Sequence, residues 1–154
     1  MNSMKLAEAL LERAELQKRL AQLDSRLQKN AQVQEGDSPA ENPQALLNEQ
    51  EQMASRLEYL ITRINLTNAA VTIAGEPLTA LLSRRDVRRI QLQQLRDFLS
   101  AASNLYDRAR MSEIRIRSAV NVADMQKELD QKSKAFRELD ARIQEANWTN
   151  ELIE

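Results

Sequence analysis

Leu6, Ala9, Arg13, Leu16, Leu20, Leu23, Leu27 and Asn30 follow one another at steps of three and four, the stripe of a helix that packs against another helix. A second such stripe runs through Leu46, Gln50, Met53, Leu57, Leu60, Ile64 and Thr67, and a third through Leu78, Leu82, Arg85, Arg88, Leu92, Leu95, Leu99 and Ala102. Val122, Met125, Leu129, Lys132, Phe136, Leu139, Ile143 and Ala146 make a fourth. At 1.5 Å per residue, helices of roughly 25 residues are about 35 to 40 Å long.

The breaks in this pattern are few. All Gly and Pro fall in two segments, Gly36, Pro39 and Pro43 in one and Gly75 and Pro77 in the other. Asn42 with Pro43 behind it predicts the start of the second helix, and Asn121 that of the fourth. Ser3 and Thr79 are the expected caps of the first and third. Between the third and fourth helices, Ile114 and Ile116 alternate with Glu113, Arg115 and Arg117, a period of two that predicts a short strand. Its expected partner is the other inter-helix segment, residues 31–35. The fold predicted is mainly all-α: one helical-bundle domain over residues 1–154, built as two antiparallel hairpins at about 4–68 and 78–148, with coiled-coil-like packing and a small two-stranded element from the inter-helix segments.

The two hairpins resemble each other. Residues 6–27 laid over 78–99 give 7 identities in 22 positions, among them Arg13 with Arg85 and Gln22 with Gln94. Residues 57–68 over 136–147 pair Leu60 with Leu139, Arg63 with Arg142, Ile64 with Ile143 and Asn68 with Asn147. Leu matches are common between heptad helices, so the Arg and Asn matches carry the argument for a repeat. A repeat of antiparallel hairpins is expected to gather Arg13, Arg85, Asn68, Asn147 and Trp148 at one end of the bundle. Trp148, the single Trp, is expected to cover that end with a buried ring.

Composition narrows the chemistry. With no Cys and no His, thiol, disulfide and imidazole mechanisms and the common zinc sites are excluded, and no catalytic motif remains. The reading is therefore a non-enzymatic protein without cofactor or metal. Its longest uncharged run, Ile64 to Gly75, has 12 residues, too short for a membrane span of roughly 20. Lys5, Glu8 and Glu12 interrupt the N-terminal apolar residues, so a cytoplasmic location is expected.

Arg13, Gln50, Arg85, Arg88 and Lys132 interrupt the apolar stripes, and charge at such positions requires partners, with Glu12, Glu138, Asp140 and Glu145 as candidates. One reading is that they fix register and oligomer state. The other is an anion site with Arg13 and Arg85 as ligands and Asn68 and Asn147 as orienting amides. Glu8, Glu12 and Glu15 are expected to pair within their own helix with Arg13, Lys18 and Arg19.

Residues 84–117 hold nine Arg and four acids, a local charge of +5, which leaves -6 on the rest of a chain whose net charge is -1. Arg84, Arg88, Arg89, Arg108, Arg110, Arg115 and Arg117 form a candidate interaction surface. Its charge suits the acidic remainder of a second copy, and a homo-oligomer, dimer or higher, is the expected partner. Nucleic acid is the alternative partner, but the segment lacks interleaved stacking aromatics.

The stretches MKLAEALLERAELQKRL, NAQVQEGDSPAE, RRDVRRIQLQQLRDFLSAAS and RELDARIQEANWTNELIE resemble the septicolysin-like family of small bacterial proteins, mostly of unknown function. The resemblance covers nearly the whole chain from Met4, and NWTNELIE is its most distinctive part. It implies a helical protein, and the family name implies a membrane-active cytolysin as a further alternative. No family site residue carries over to this sequence.

Overall fold

The computed structural model describes residues 3–104 and 114–154. The described residues form four helices, α1 (Leu6–Lys29), α2 (Pro43–Ala70), α3 (Leu78–Ser103) and α4 (Val122–Thr149), with a two-stranded antiparallel ribbon of β1 (Thr72–Ile73) and β2 (Glu76–Pro77). The fold is mainly all-α, as the periodicity predicts. The chain divides into two compact units, Met1–Ile73 with Ala146–Glu154, and Ala74–Glu145. The first unit holds α1 and α2 together with the last turn of α4 and the tail after it; the second holds α3 and the rest of α4.

In the first unit α1 runs antiparallel to α2 and packs closely along it. Leu6, Ala9, Leu16 and Leu23 of α1 and Leu46, Met53, Leu60, Ile64 and Thr67 of α2 are buried, all of them stripe positions. Asn42 Oδ1 accepts the Gln44 N–H at 2.9 Å, and Pro43 follows as the first helical residue. The loop between the helices is clamped at both edges. Asn30 donates to the Arg26 carbonyl at 2.8 Å and accepts the Glu41 N–H at 2.9 Å, while Arg26 grips the Glu41 carboxylate with two bonds of 3.1 and 2.6 Å. Within that loop, Gly36 at φ +90 occupies the position of the Gln34–Asp37 turn that favours glycine.

The C-terminal tail completes this unit. Leu6 N–H, one of the four donors a helix start leaves unpaired, bonds to the Asn150 carbonyl at 3.0 Å, and Leu152 N–H bonds to the Met4 carbonyl at 2.8 Å. That pairing holds Lys5 extended, and the Glu8 carboxylate accepts the Lys5 N–H at 3.0 Å. The cap of α1 is therefore Lys5 and not Ser3, because the main chain up to Lys5 is engaged with the tail.

The small ribbon lies elsewhere than expected. Ala74 and Gly75 both have positive φ, +50 and +84, as a two-residue turn of the type that joins antiparallel strands requires, so the chain reverses directly between Ile73 and Glu76. Residues 31–35 and 114–117 form no strand; Val33 and Ile114 are exposed, so burial does not reward the alternation. The ribbon also leads Pro77 straight into α3, which begins at Leu78 with Pro77 as its N-cap in place of the expected Thr79.

In the second unit α3 and α4 are antiparallel, and Leu92, Leu99 and Leu129 form a buried cluster with Leu95, Val122, Met125 and Phe136 packed on it. Asn121 caps α4 by accepting the Asp124 N–H at 3.1 Å. The repeat extends to the element boundaries: α1 and α3 start 72 residues apart, and α2 and α4, each of 28 residues, both follow an Asn cap.

Candidate functional site

The predicted anion ligands are divided between the two units. Arg13, Asn68 and Asn147 belong to the first unit, where Asn147 is buried and the other two are half-buried. Arg85 belongs to the second, and its guanidinium is engaged there: Nη1 donates to Asp140 at 3.2 Å, and Nε lies 3.6 Å from Asp86. The carboxylate expected for it is thus present. Trp148 is 54% exposed and does not cover a bundle end, because its step from Ala146 carries it off the buried face of α4.

Glu12 does not pair within its helix. It crosses to α2 and takes two bonds from Arg56, at 2.7 and 3.0 Å, which hold its carboxyl below the ordinary glutamate range. Arg56 and Arg63 lie 5.5 and 5.1 Å from the Tyr59 ring centroid, so two guanidinium groups are within cation–π distance of one ring on α2. The sequence signal for this group was the 3-4 spacing of Arg56, Tyr59 and Arg63 beside the apolar stripe.

The second unit contains an open site. Close to Arg85–Asp140, Arg89 lies over the Phe136 ring at 5.7 Å and ties α3 to α4 on one flank. Beside this contact the two helices leave a groove of about 600 Å³. Its apolar lining is Leu92, Leu95 and Ala135; its polar lining is Arg88, Gln91, Gln94 and Lys132. Arg88 and Lys132, singled out by interrupting the stripes of two different helices, therefore face one groove. Arg88 has no ion pair among the described residues, and Lys132 has Glu128 one turn back on its own helix, at 3.3 Å. The remaining basic positions are surface residues: Arg84 bonds to Glu76 at 2.7 Å, Arg89 is 3.8 Å from Asp86, and Arg115 and Arg117 are exposed. Arg108 and Arg110 lie outside the described residues. Among the described residues there is no cluster of three metal-ligating side chains, and no helix is long and apolar enough to cross a membrane.

Fold and site together define a small protein of two helical hairpins, one of them opened into a cation-rimmed groove. The chain belongs to DUF6847, a family of unknown function, whose model matches residues 13–152. It is similar over its whole length to a functionally unknown conserved protein from Corynebacterium diphtheriae, known from a crystal structure: 38% identical, covering 99% of this chain and 100% of that one, with a TM-score of 0.92. None of the curated proteins matches the chain.

Proposed function

We propose that this protein acts without catalysis, by associating with further copies of itself through the outer face of α3. The observation that carries this reading is a row of exposed apolar side chains, Val87, Ile90 and Phe98, which are 55%, 60% and 47% exposed. With Gln94 they recur at steps of three and four, and so share one helix face, opposite the buried Leu81, Leu92 and Leu99. Single exposed apolar residues are ordinary on a soluble protein; three in one row along a helix form a seam that another helix can fill. Asp86 and Asp97 lie on one flank of the row and Arg84 and Arg88 on the other, so it carries both signs of charge. The opposite charges of residues 84–117 and the rest of the chain also favour a second copy over a nucleic acid. Light scattering tests the reading. The wild type is expected at twice 17.6 kDa or more, and the Val87→Ser/Ile90→Ser/Phe98→Ser variant at 17.6 kDa with unchanged helix content. A wild type that stays at 17.6 kDa at tens of micromolar overturns it.

A further inference from the structure

We propose that the groove between α3 and α4 binds a single-chain amphiphile, its alkyl chain on Leu92, Leu95 and Ala135 and its anionic head between Arg88 and Lys132. Size argues first. The groove, about 600 Å³, lies within the roughly 300–1,000 Å³ range of small-molecule sites. A docked helix of even two turns, about 10 Å across, occupies roughly 800 Å³. Charge argues next. No acid among the described residues lines the groove, and Arg88, without an ion pair among them, has a guanidinium fork that suits a carboxylate or phosphate. The Lys132 ammonium has three donors, so its contact with Glu128 leaves capacity for a second anion. A second copy of this chain docked there by a two-fold would place its own Arg88 and Lys132 against these cations, an arrangement like-charge repulsion opposes. Val87, Ile90 and Phe98 do not line the groove, which meets their row only at Gln94 and at Arg88 on its flank. Apolar lining alone would accept any alkyl chain; the two cations restrict it to chains with a negative head. Carboxylate and phosphate heads share this chemistry, and the test separates them.

Isothermal titration of the full chain with dodecanoate and with dodecyl phosphate, both below their micelle concentrations, measures the binding. One site per chain is expected for at least one of the two, the stronger binder identifying the head group, with acetate and dodecyltrimethylammonium bound at least tenfold more weakly. Arg88→Gln and Lys132→Gln are each expected to weaken binding about tenfold, and Ala135→Leu, which fills the groove from an exposed helix position, to abolish it. Circular dichroism melts confirm that the variants fold. Absence of binding by both anionic amphiphiles, or binding that Ala135→Leu and Arg88→Gln leave unchanged, overturns the proposal.

Discussion

The Thr67 hydroxyl accepts the backbone N–H of Ile153 at 2.9 Å, and so fastens the C-terminal tail to α2 across 86 positions of sequence. The same hydroxyl donates to the Arg63 carbonyl at 2.7 Å, and the side chain is completely buried. Thr67→Val keeps the shape and removes the acceptor, leaving the Ile153 N–H without its partner. A loss of about 1 kcal/mol in denaturant unfolding is expected, since this end of the tail can regain water. Faster amide exchange at Leu152 and Ile153 should accompany it. Unchanged exchange would show that the main-chain pairing with Met4 and Leu6 and the buried Leu152 side chain hold the tail without the hydroxyl.

Trp148 supplies a second test. With 54% of its surface in water, its ring buries about half of what an enclosed Trp buries. Trp148→Ala is expected to cost about 1–2 kcal/mol, below the roughly 3 kcal/mol or more of a fully buried aromatic. In the wild type, strong quenching of its fluorescence by acrylamide is the matching observation; a protected indole would contradict the exposure.

How far these features were legible in the sequence depends on the range of the interaction that sets them. The buried positions Leu16, Leu23, Leu60, Ile64, Leu129 and Ile143 all fall on the stripes, since burial along a paired helix repeats with the helix itself. Asn42 and Asn121 were readable as caps because a cap acts within three residues of itself. Thr67 stands on its stripe, but its partner in the tail lies 86 positions along the chain, and no local pattern announces such a contact. The ribbon escaped for the opposite reason: two residues per strand are too few to show a period, and Ala74 adopts a positive φ that local sequence rarely specifies. For the groove, Arg88 and Lys132 were visible as interruptions, whereas the spacing of α3 from α4 is a property of packing alone.

Acid should loosen the first unit. Arg56 holds the Glu12 carboxyl and Arg26 holds the Glu41 carboxyl below the ordinary glutamate value of about 4.3. On acidification the unfolded chain therefore takes up these protons before the folded one does. The two pairs contribute fully above the ordinary glutamate value, and their contribution disappears as the pH falls through the lowered ones. Unfolding free energies measured from pH 7 to pH 2 are expected to decline more shallowly in Glu12→Gln and Glu41→Gln than in the wild type. Parallel curves for all three proteins would assign the acid sensitivity to other groups.

Arg85 and Asp140 decide between scaffold and site. The Arg85 side chain is 19% exposed and that of Asp140 38%, so removal of each partner strands the other in a different environment. After Arg85→Met the apolar stem is preserved and Asp140 recovers water, which limits the cost to about 1 kcal/mol, well below the 3–5 kcal/mol of a fully buried pair. After Asp140→Asn the more deeply placed guanidinium loses its anion and keeps only Asp86, 3.6 Å from Nε. That variant should be the less stable of the two, by up to about 1 kcal/mol, with a favourable coupling energy in the double-mutant cycle. Added phosphate should leave the Arg85→Met and wild-type melting temperatures shifted equally, because Asp140 already occupies the guanidinium. An Arg85→Met variant more stable than the wild type, together with a phosphate shift that only the wild type shows, would make Arg85 an anion ligand and not a strut between α3 and α4.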